Sequence, residues 1–260
     1  MKRGELKVDL NCDMGEVPEA IADGTQEALM RSITSVNIAC GGHAGDEQTM
    51  KTTIEQALRW KLAIGAHPGY PDRANFGRLE VKLPLNEISA FIFEQVKALA
   101  DVADRCGARV VHVKPHGALY NQAVRNRELA ESIAKGVARW NREVVLVGLA
   151  GSPMLDVFRE AGFAVAAEAF ADRRYEADGT LRPRKFEDAL IRNPEEAAWQ
   201  ALGIAERGVV IASDGSEVSV DAQTLCIHGD TPGAPDIAST VAQSLREAGV
   251  TVCALSATEI

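Results

Sequence analysis

The chain has 260 residues, 46% of them hydrophobic and 25% charged, with a mean hydropathy of -0.08. Those are ordinary globular values, and they exclude disordered and fibrous classes. Net charge is -9, aromatics are only 5% and no Lys/Arg run is long enough to track a phosphate backbone, so binding to nucleic acid or an anionic membrane is disfavoured. Cys12, Cys40, Cys106, Cys226 and Cys253 lie far apart with no C-x-x-C pair, which suggests neither a disulfide framework nor a zinc ribbon. Gly4-Glu5-Leu6-Lys7 stands where a signal peptide needs an apolar run, and no stretch approaches the roughly 18–20 apolar residues of a membrane span. The expectation is a soluble, cytoplasmic protein.

The first strand is expected at residues 6–11. It runs into Asp9-Leu10-Asn11-Cys12-Asp13-Met14-Gly15-Glu16, which brings three carboxylates towards one mouth. A second strand, 35–40, ends in Cys40-Gly41-Gly42-His43-Ala44-Gly45-Asp46. Met50, Ile54, Ala57 and Leu58 then recur at helical spacing over 46–60. Strand 62–67 ends in His67-Pro68-Gly69-Tyr70-Pro71-Asp72, and 86–106 again has helical period. Strand 109–114 holds His112, read as structural, and runs into Lys114-Pro115-His116-Gly117. Strand 144–149 leads to Gly148-Leu149-Ala150-Gly151-Ser152, read as a simple strand–helix turn. Strand 163–168 is followed by Glu168-Ala169-Phe170-Ala171-Asp172-Arg173-Arg174-Tyr175. Asn193-Pro194-Glu195-Glu196 reads as a capped helix start with Glu196 reaching back. Residues 209–220, split at Asp214-Gly215, form an inserted hairpin. The last strand, 224–228, ends in His228-Gly229-Asp230.

Strand–helix alternation, with most strands apolar on both faces, suits a parallel sheet. The length, and the polar segment at nearly every strand end, favour closure into a single-domain (β/α)7 TIM-like barrel over an open sheet.

His43, His67, His116 and His228, on separate strand ends, mark the mouth where barrel active sites sit. Lys114, at a strand edge beside Pro115, would aim inward to polarise a carbonyl or bind a carboxylate. Arg78 or Arg173 could clamp a substrate carboxylate. Asp13, His43 and His67 would suit a divalent metal, and equally could work unaided as acid and base. Asn11, Glu16, Asp46, Asp72, Glu168 and Asp230 complete the candidate substrate contacts. Cys12, Cys40 and Cys226 are read as packing residues. No phosphate-binding signature such as G-x-x-x-x-G-K-[ST] or G-x-G-x-x-G occurs.

Residues 37–46, 65–72, 113–121, 168–175 and 226–230, in that order, resemble blocks of the 5-oxoprolinase A-subunit family, also called the LamB/YcsF-like proteins. The resemblance runs from Val8 to about Val252. It implies a distorted (β/α)7 barrel similar to the glycoside hydrolase/deacetylase barrels. It also implies ATP-dependent opening of 5-oxo-L-proline to L-glutamate, alongside partner subunits B and C. For that chemistry Asp13 or His43 would serve as base, Lys114 and His116 as oxyanion or phosphate contacts, and Arg78 or Arg173 as the carboxylate clamp. The chain departs from the family pattern at Cys12, usually Ala, and at Val17-Pro18-Glu19. It departs again at Gly42, usually Phe, where an aromatic wall beside His43 would be lost, and at Arg184-Lys185-Phe186-Glu187-Asp188. Two other readings stay open: a metal-dependent deacetylase or amidohydrolase acting alone, and a non-catalytic scaffold protein.

Overall fold

In the computed structural model of the chain, which describes residues 6–255, all seven expected barrel strands form. They are β1 (Lys7–Met14), β2 (Ser35–Ala39), β3 (Ala63–His67), β4 (Val110–Val113), β5 (Val145–Leu149), β6 (Ala164–Phe170) and β9 (Thr224–Cys226). Between the last two lies the expected antiparallel hairpin, β7 (Val209–Ile211) with β8 (Glu217–Ser219). Each barrel strand pairs in parallel with the next, and β9 pairs with both β6 and β1, so the seven-stranded sheet closes on itself. A two-residue strand, β10 (Thr251–Val252), adds to the start of β1 through Lys7 and Val8.

The helices are α1 (Pro18–Ala22), α2 (Thr25–Met30), α3 (Glu47–Arg59), α4 (Leu85–Arg105), α5 (Gly117–Ala123), α6 (Arg127–Ala138), α7 (Pro153–Glu160), α8 (Pro194–Leu202) and α9 (Ala234–Glu247). Asp46 and Thr49 form a reciprocal capping box on α3. Asn193 caps α8 by accepting from the Glu196 amide. The Glu196 carboxylate does not reach back as expected; it pairs with Arg174 at 2.7 Å. No helix among the described residues is long and apolar enough to cross a membrane.

The main apolar core lies between strands and helices. Leu10, Val36, Ile38 and Ile64 on the outer strand faces are buried with Ile54 of α3 and Ile92 and Leu99 of α4. Each side chain so buried contributes roughly 1.5–3 kcal/mol.

β5 is apolar on both faces as expected, with Val145 and Val147 buried against Ala166 in a cluster separate from the main core, but β1 departs from that expectation. Residues 9, 11 and 13 of β1 alternate with Leu10, Cys12 and Met14, and the odd-numbered set forms hydrogen bonds across the barrel. Asp9, expected near the mouth, sits lower down. There it accepts hydrogen bonds from Thr34, Ser35 and Thr224 at 2.5–2.7 Å. Burial pushes its pKa up to about 6 against those hydroxyl bonds. A buried polar interior is tolerable only because its groups are partnered.

Candidate functional site

Above Asp9 the interior becomes a connected polar network. Asn11 donates to Thr224 and Glu168 and accepts from Asn37. Asn37 also donates to Asp13 and accepts from His112 at 2.8 Å. His112 is thus structural, as expected. It crosses the interior because position 65 is glycine: a Cβ there would lie 2.0 Å from its ring nitrogen. Burial drives the His112 pKa down to about 3, so it works as a neutral ring.

Lys114 does aim inward. Its Nζ lies 2.8 Å from Glu168, 3.0 Å from Asp13, 3.3 Å from Asn11 and 3.1 Å from the Cys226 sulfur. Burial alone would lower its pKa; Asp13, Cys226 and Glu168 outweigh that and hold it well above normal. Asp13 shows the converse: burial would raise its pKa, but His67 and Lys114 hold it well below the usual carboxylate range. The ammonium and the Asp13 carboxylate are therefore permanent charges.

Beside them stands a tight imidazole–carboxylate cluster. Glu16 Oε1 lies 2.8 Å from His43 Nε2, 3.1 Å from His116 Nδ1 and 3.7 Å from His67 Nε2. His67 Nδ1 donates to the Lys114 carbonyl at 2.7 Å, and His116 Nε2 donates to the Phe76 carbonyl at 2.8 Å. The His43 and His116 rings stack at 3.6 Å. Burial, opposed by the bond to Glu16, lowers the His43 pKa to about 4. Asp13 raises that of His67 in spite of its burial. Burial would raise Glu16, but the His116 and His43 imidazoles beside it hold it far below normal.

A cavity of about 280 Å³ opens above this layer, at the carboxyl ends of the strands. Asp13, Glu16, His67, Arg78, Lys114, His116, Arg173, His228 and Asp230 all line it. Other expected residues do not. His43 stands behind Glu16 with its side chain fully covered. Asn11 and Glu168 lie beneath Lys114, within the network. Asp46 is a helix cap. Asp72 accepts from Asn75 and so shapes the loop that carries Phe76. His116 cannot serve as a donor to substrate oxygen, because its one N–H is committed to a backbone carbonyl and its other nitrogen faces His67 and Glu16.

At the rim, Arg78 and Arg184 share one carboxylate, Asp230, at 2.5 and 3.0 Å. Arg173 donates only to the carbonyls of Arg182 and Ala189, and burial lowers its pKa to about 10. Guanidinium charge therefore exceeds carboxylate charge there.

Four contributors escape sequence reasoning. Arg184 stands out in the sequence only as a departure from a pattern. Asp172 is wholly buried and fixes His228 through its Nδ1 and its amide, each at 2.9 Å. Phe170 stacks on His228 at 5.4 Å. Tyr120 lines the cavity, and its buried hydroxyl faces the Glu168 carboxylate. The expected loss of an aromatic wall at Gly42 is corrected as well. Gln95 fills that space, bonded to both backbone groups of Gly69, while Phe76 packs edge-on against His43 at 5.6 Å. The three cysteines read as packing residues, Cys12, Cys40 and Cys226, are buried.

The LamB/YcsF family profile matches residues 8–259. The 5-oxoprolinase A-subunit of Chloroflexus aggregans is 48% identical over 247 residues, 95% of this chain and 98% of that protein. The protein of the same name from Bacillus cereus is 41% identical over 248 residues, again 95% and 98%. The crystal structure of a lactam utilization protein from Thermus thermophilus superposes with a TM-score of 0.89 at 42% identity, covering 96% of this chain and 100% of that one. The family 4 carbohydrate esterase of Streptomyces lividans, at 11% identity and a TM-score of 0.50 over 97% and 94% of the two chains, shares the barrel fold alone. With its profile matched almost end to end and relatives this similar over nearly their whole length, the chain belongs to the LamB/YcsF family.

Proposed function

We propose that this chain is one component of an ATP-dependent 5-oxoprolinase, working in the cytoplasm with subunits B and C to convert 5-oxo-L-proline to L-glutamate while ATP is cleaved to ADP and phosphate. The observation that carries the reading is the 41–48% identity to relatives named as 5-oxoprolinase A-subunits across about 95% of the chain. The cavity supports it with the charges that such a substrate requires.

A lactam amide is resonance-stabilised, so it must be activated. The γ-phosphoryl group of ATP adds to the lactam oxygen and water adds to the carbon. The tetrahedral species collapses with C–N cleavage to a γ-glutamyl phosphate, which a second water hydrolyses to glutamate and phosphate. Differential stabilisation of the developing charge is the catalytic requirement. Asp13, held ionised by His67 and Lys114, orients the water. The Lys114 ammonium and the Tyr120 hydroxyl flank the reacting oxygen. His228, set by Asp172, supplies a proton to the departing nitrogen. The free substrate carboxylate rests on Arg173, with Arg78 and Arg184 beside it.

Glutamate release from 5-oxo-L-proline, with and without ATP, tests this with the chain alone and with its partner subunits. Glutamate that appears only with ATP and partners is the expected result. Partners that turn over fully without this chain would overturn the reading in favour of a dispensable scaffold. Release by this chain alone without ATP would favour a free-standing amidohydrolase.

A further inference from the structure

We propose that Glu16, His67 and His116 form a binding site for a divalent transition-metal ion of the zinc type, with its open face on the cavity and His43 as the positioning residue behind Glu16. The inference concerns the same mouth, but it does not depend on the lactam reading.

The first ground is the placement of protons. A backbone carbonyl only accepts, so His67 must carry its proton on Nδ1 to serve Lys114, and His116 must carry its own on Nε2 to serve Phe76. When both rings are neutral, the remaining nitrogens, His67 Nε2 and His116 Nδ1, present lone pairs to each other at 3.0 Å, and that of His67 also meets Asp13 Oδ2 at 3.3 Å. They present them also to Glu16 Oε1, at 3.7 and 3.1 Å. Acceptor faces acceptor across a buried space. One proton relieves one such contact at a time; a cation at the centre serves all three.

Second, the spacing suits a metal. Bonds of about 2.0–2.1 Å to a tetrahedral ion place its ligand atoms about 3.4 Å apart. The three edges here are 3.0, 3.1 and 3.7 Å. Third, both imidazoles already have what metal-bound histidines require, a carbonyl on the far nitrogen that fixes tautomer and ring plane. His43 supplies the equivalent for the carboxylate: its Nε2 donates to Glu16 Oε1 at 2.8 Å. Its Nδ1 then bears no hydrogen, which explains why that atom can stay buried without a partner.

Finally, Asp13 and Glu168 already share the Lys114 ammonium, while the Glu16 carboxylate has only imidazoles around it. A divalent ion redresses that imbalance. Glu16, His67 and His116 all line the cavity, whereas His43 does not. Two imidazoles, one carboxylate and an open side is the ligand pattern of an accessible zinc site rather than a closed structural one.

The test uses the full-length chain stripped with chelator and titrated calorimetrically with Zn2+ at neutral pH, with Mg2+ in parallel. One equivalent of Zn2+ should bind with a Kd below 1 µM, and Mg2+ should not compete. His67→Ala and His116→Ala should each weaken Zn2+ binding by at least a hundredfold, and His43→Ala by 10–100-fold as an outer-sphere change. Should a variant fold poorly, Co2+ added to the wild-type chain decides the matter. Intense visible d–d bands of a four-coordinate N/O site support the proposal; the pale spectrum of octahedral aqueous Co2+ overturns it. Absence of stoichiometric Zn2+ binding, or binding unchanged in well-folded His67→Ala and His116→Ala variants, would also overturn it. Because each readout is binding or absorption, the metal site can fail while lactam turnover stands, and the reverse.

Discussion

Lys114 is the residue on which both the fold and the proposed chemistry depend most, and the pair it makes with Glu168 gives that dependence a size. Lys114→Met keeps the length and most of the volume of the side chain while removing its charge. Glu168 is then fully buried with only the Asn11 amide on Oε1 and the Tyr120 hydroxyl beside it. At 2.8 Å and an effective dielectric of about 20, the lost attraction is about 6 kcal/mol before desolvation of the ammonium is subtracted. Breaking a buried pair on one side costs about 3–5 kcal/mol in practice. That is a large fraction of a typical net stability of about 5–15 kcal/mol. Glu168→Gln alone should also destabilise, because it leaves Lys114 one carboxylate short. The double variant should regain about 2 kcal/mol or more over the sum of the two single losses, since it removes both charges together. Reversible urea unfolding of the wild type, both singles and the double measures that coupling. Additivity within about 0.5 kcal/mol would refute the claim that this contact neutralises the barrel interior.

Three further outcomes follow from named contacts. Asp9 has a folded pKa of about 6 against an ordinary value of 3.8. Between those values the folded chain keeps a proton that the unfolded chain has lost, so Asp9's contribution is full below the unfolded value and fades as pH rises through the folded one. The stability difference between wild type and Asp9→Asn should therefore change by about 2.4 kcal/mol from pH 4 to pH 7; a flat difference curve would contradict the burial argument. Gly42→Ala should cost about 1–3 kcal/mol, because its Cβ would lie 2.3 Å from Gln95 Oε1. Adding Gln95→Ala should recover part of that loss in thermal unfolding, and no recovery would place the strain elsewhere. Tyr120→Phe removes a buried hydroxyl that faces the Glu168 carboxylate and should cost about 0.5–1.5 kcal/mol. Glutamate release by the assembled enzyme should nevertheless fall at least tenfold; unchanged turnover would remove Tyr120 from the proposed mechanism.

The barrel strands were legible because each is an apolar run that ends in a polar, glycine-containing segment, and that pattern survives without knowledge of neighbours. β10 was not, since Thr251–Val252 has no periodicity of its own and forms only because Lys7 and Val8 lie beside it. Nor was the π-helical turn Gly203–Arg207 that extends α8. The polar interior left a trace in the alternation of Asp9, Asn11 and Asp13 with Leu10, Cys12 and Met14, but a strand end rich in carboxylates reads the same way. Strand-end histidines marked the mouth without saying which would face it. Whether His43 lines the cavity or supports Glu16 is decided by a loop that returns through Phe76. Whether His116 can donate is decided by a carbonyl 40 residues away in sequence. Gly42 looked like a missing wall because the side chain that fills the space, Gln95, comes from α4, far from the Gly42 loop in sequence.

The charges in the mouth are also sorted by depth, and this constrains how any ligand can enter. Asp13, Glu16 and the imidazoles form one layer with Lys114 as its ammonium, while Arg78, Arg173 and Arg184 stand at the rim against the single carboxylate of Asp230. A small molecule with one carboxylate gains at the arginine side and is repelled by the carboxylates of the deeper layer, so its uncharged end must lead. Under the lactam reading that end is the ring amide, which arrives beside Lys114 and Asp13 without needing a closed lid to orient it. Two of the rim arginines are already bonded to Asp230, so they can yield to a ligand without leaving a charge alone: Asp230 keeps one partner while the other turns inward. Asp230→Asn should therefore tighten binding of a carboxylate ligand by releasing both guanidiniums, with salt dependence steeper than in the wild type. Weaker binding of 5-oxo-L-proline to that variant, measured by calorimetry, would mean that Asp230 holds the arginines in the productive position rather than competing for them.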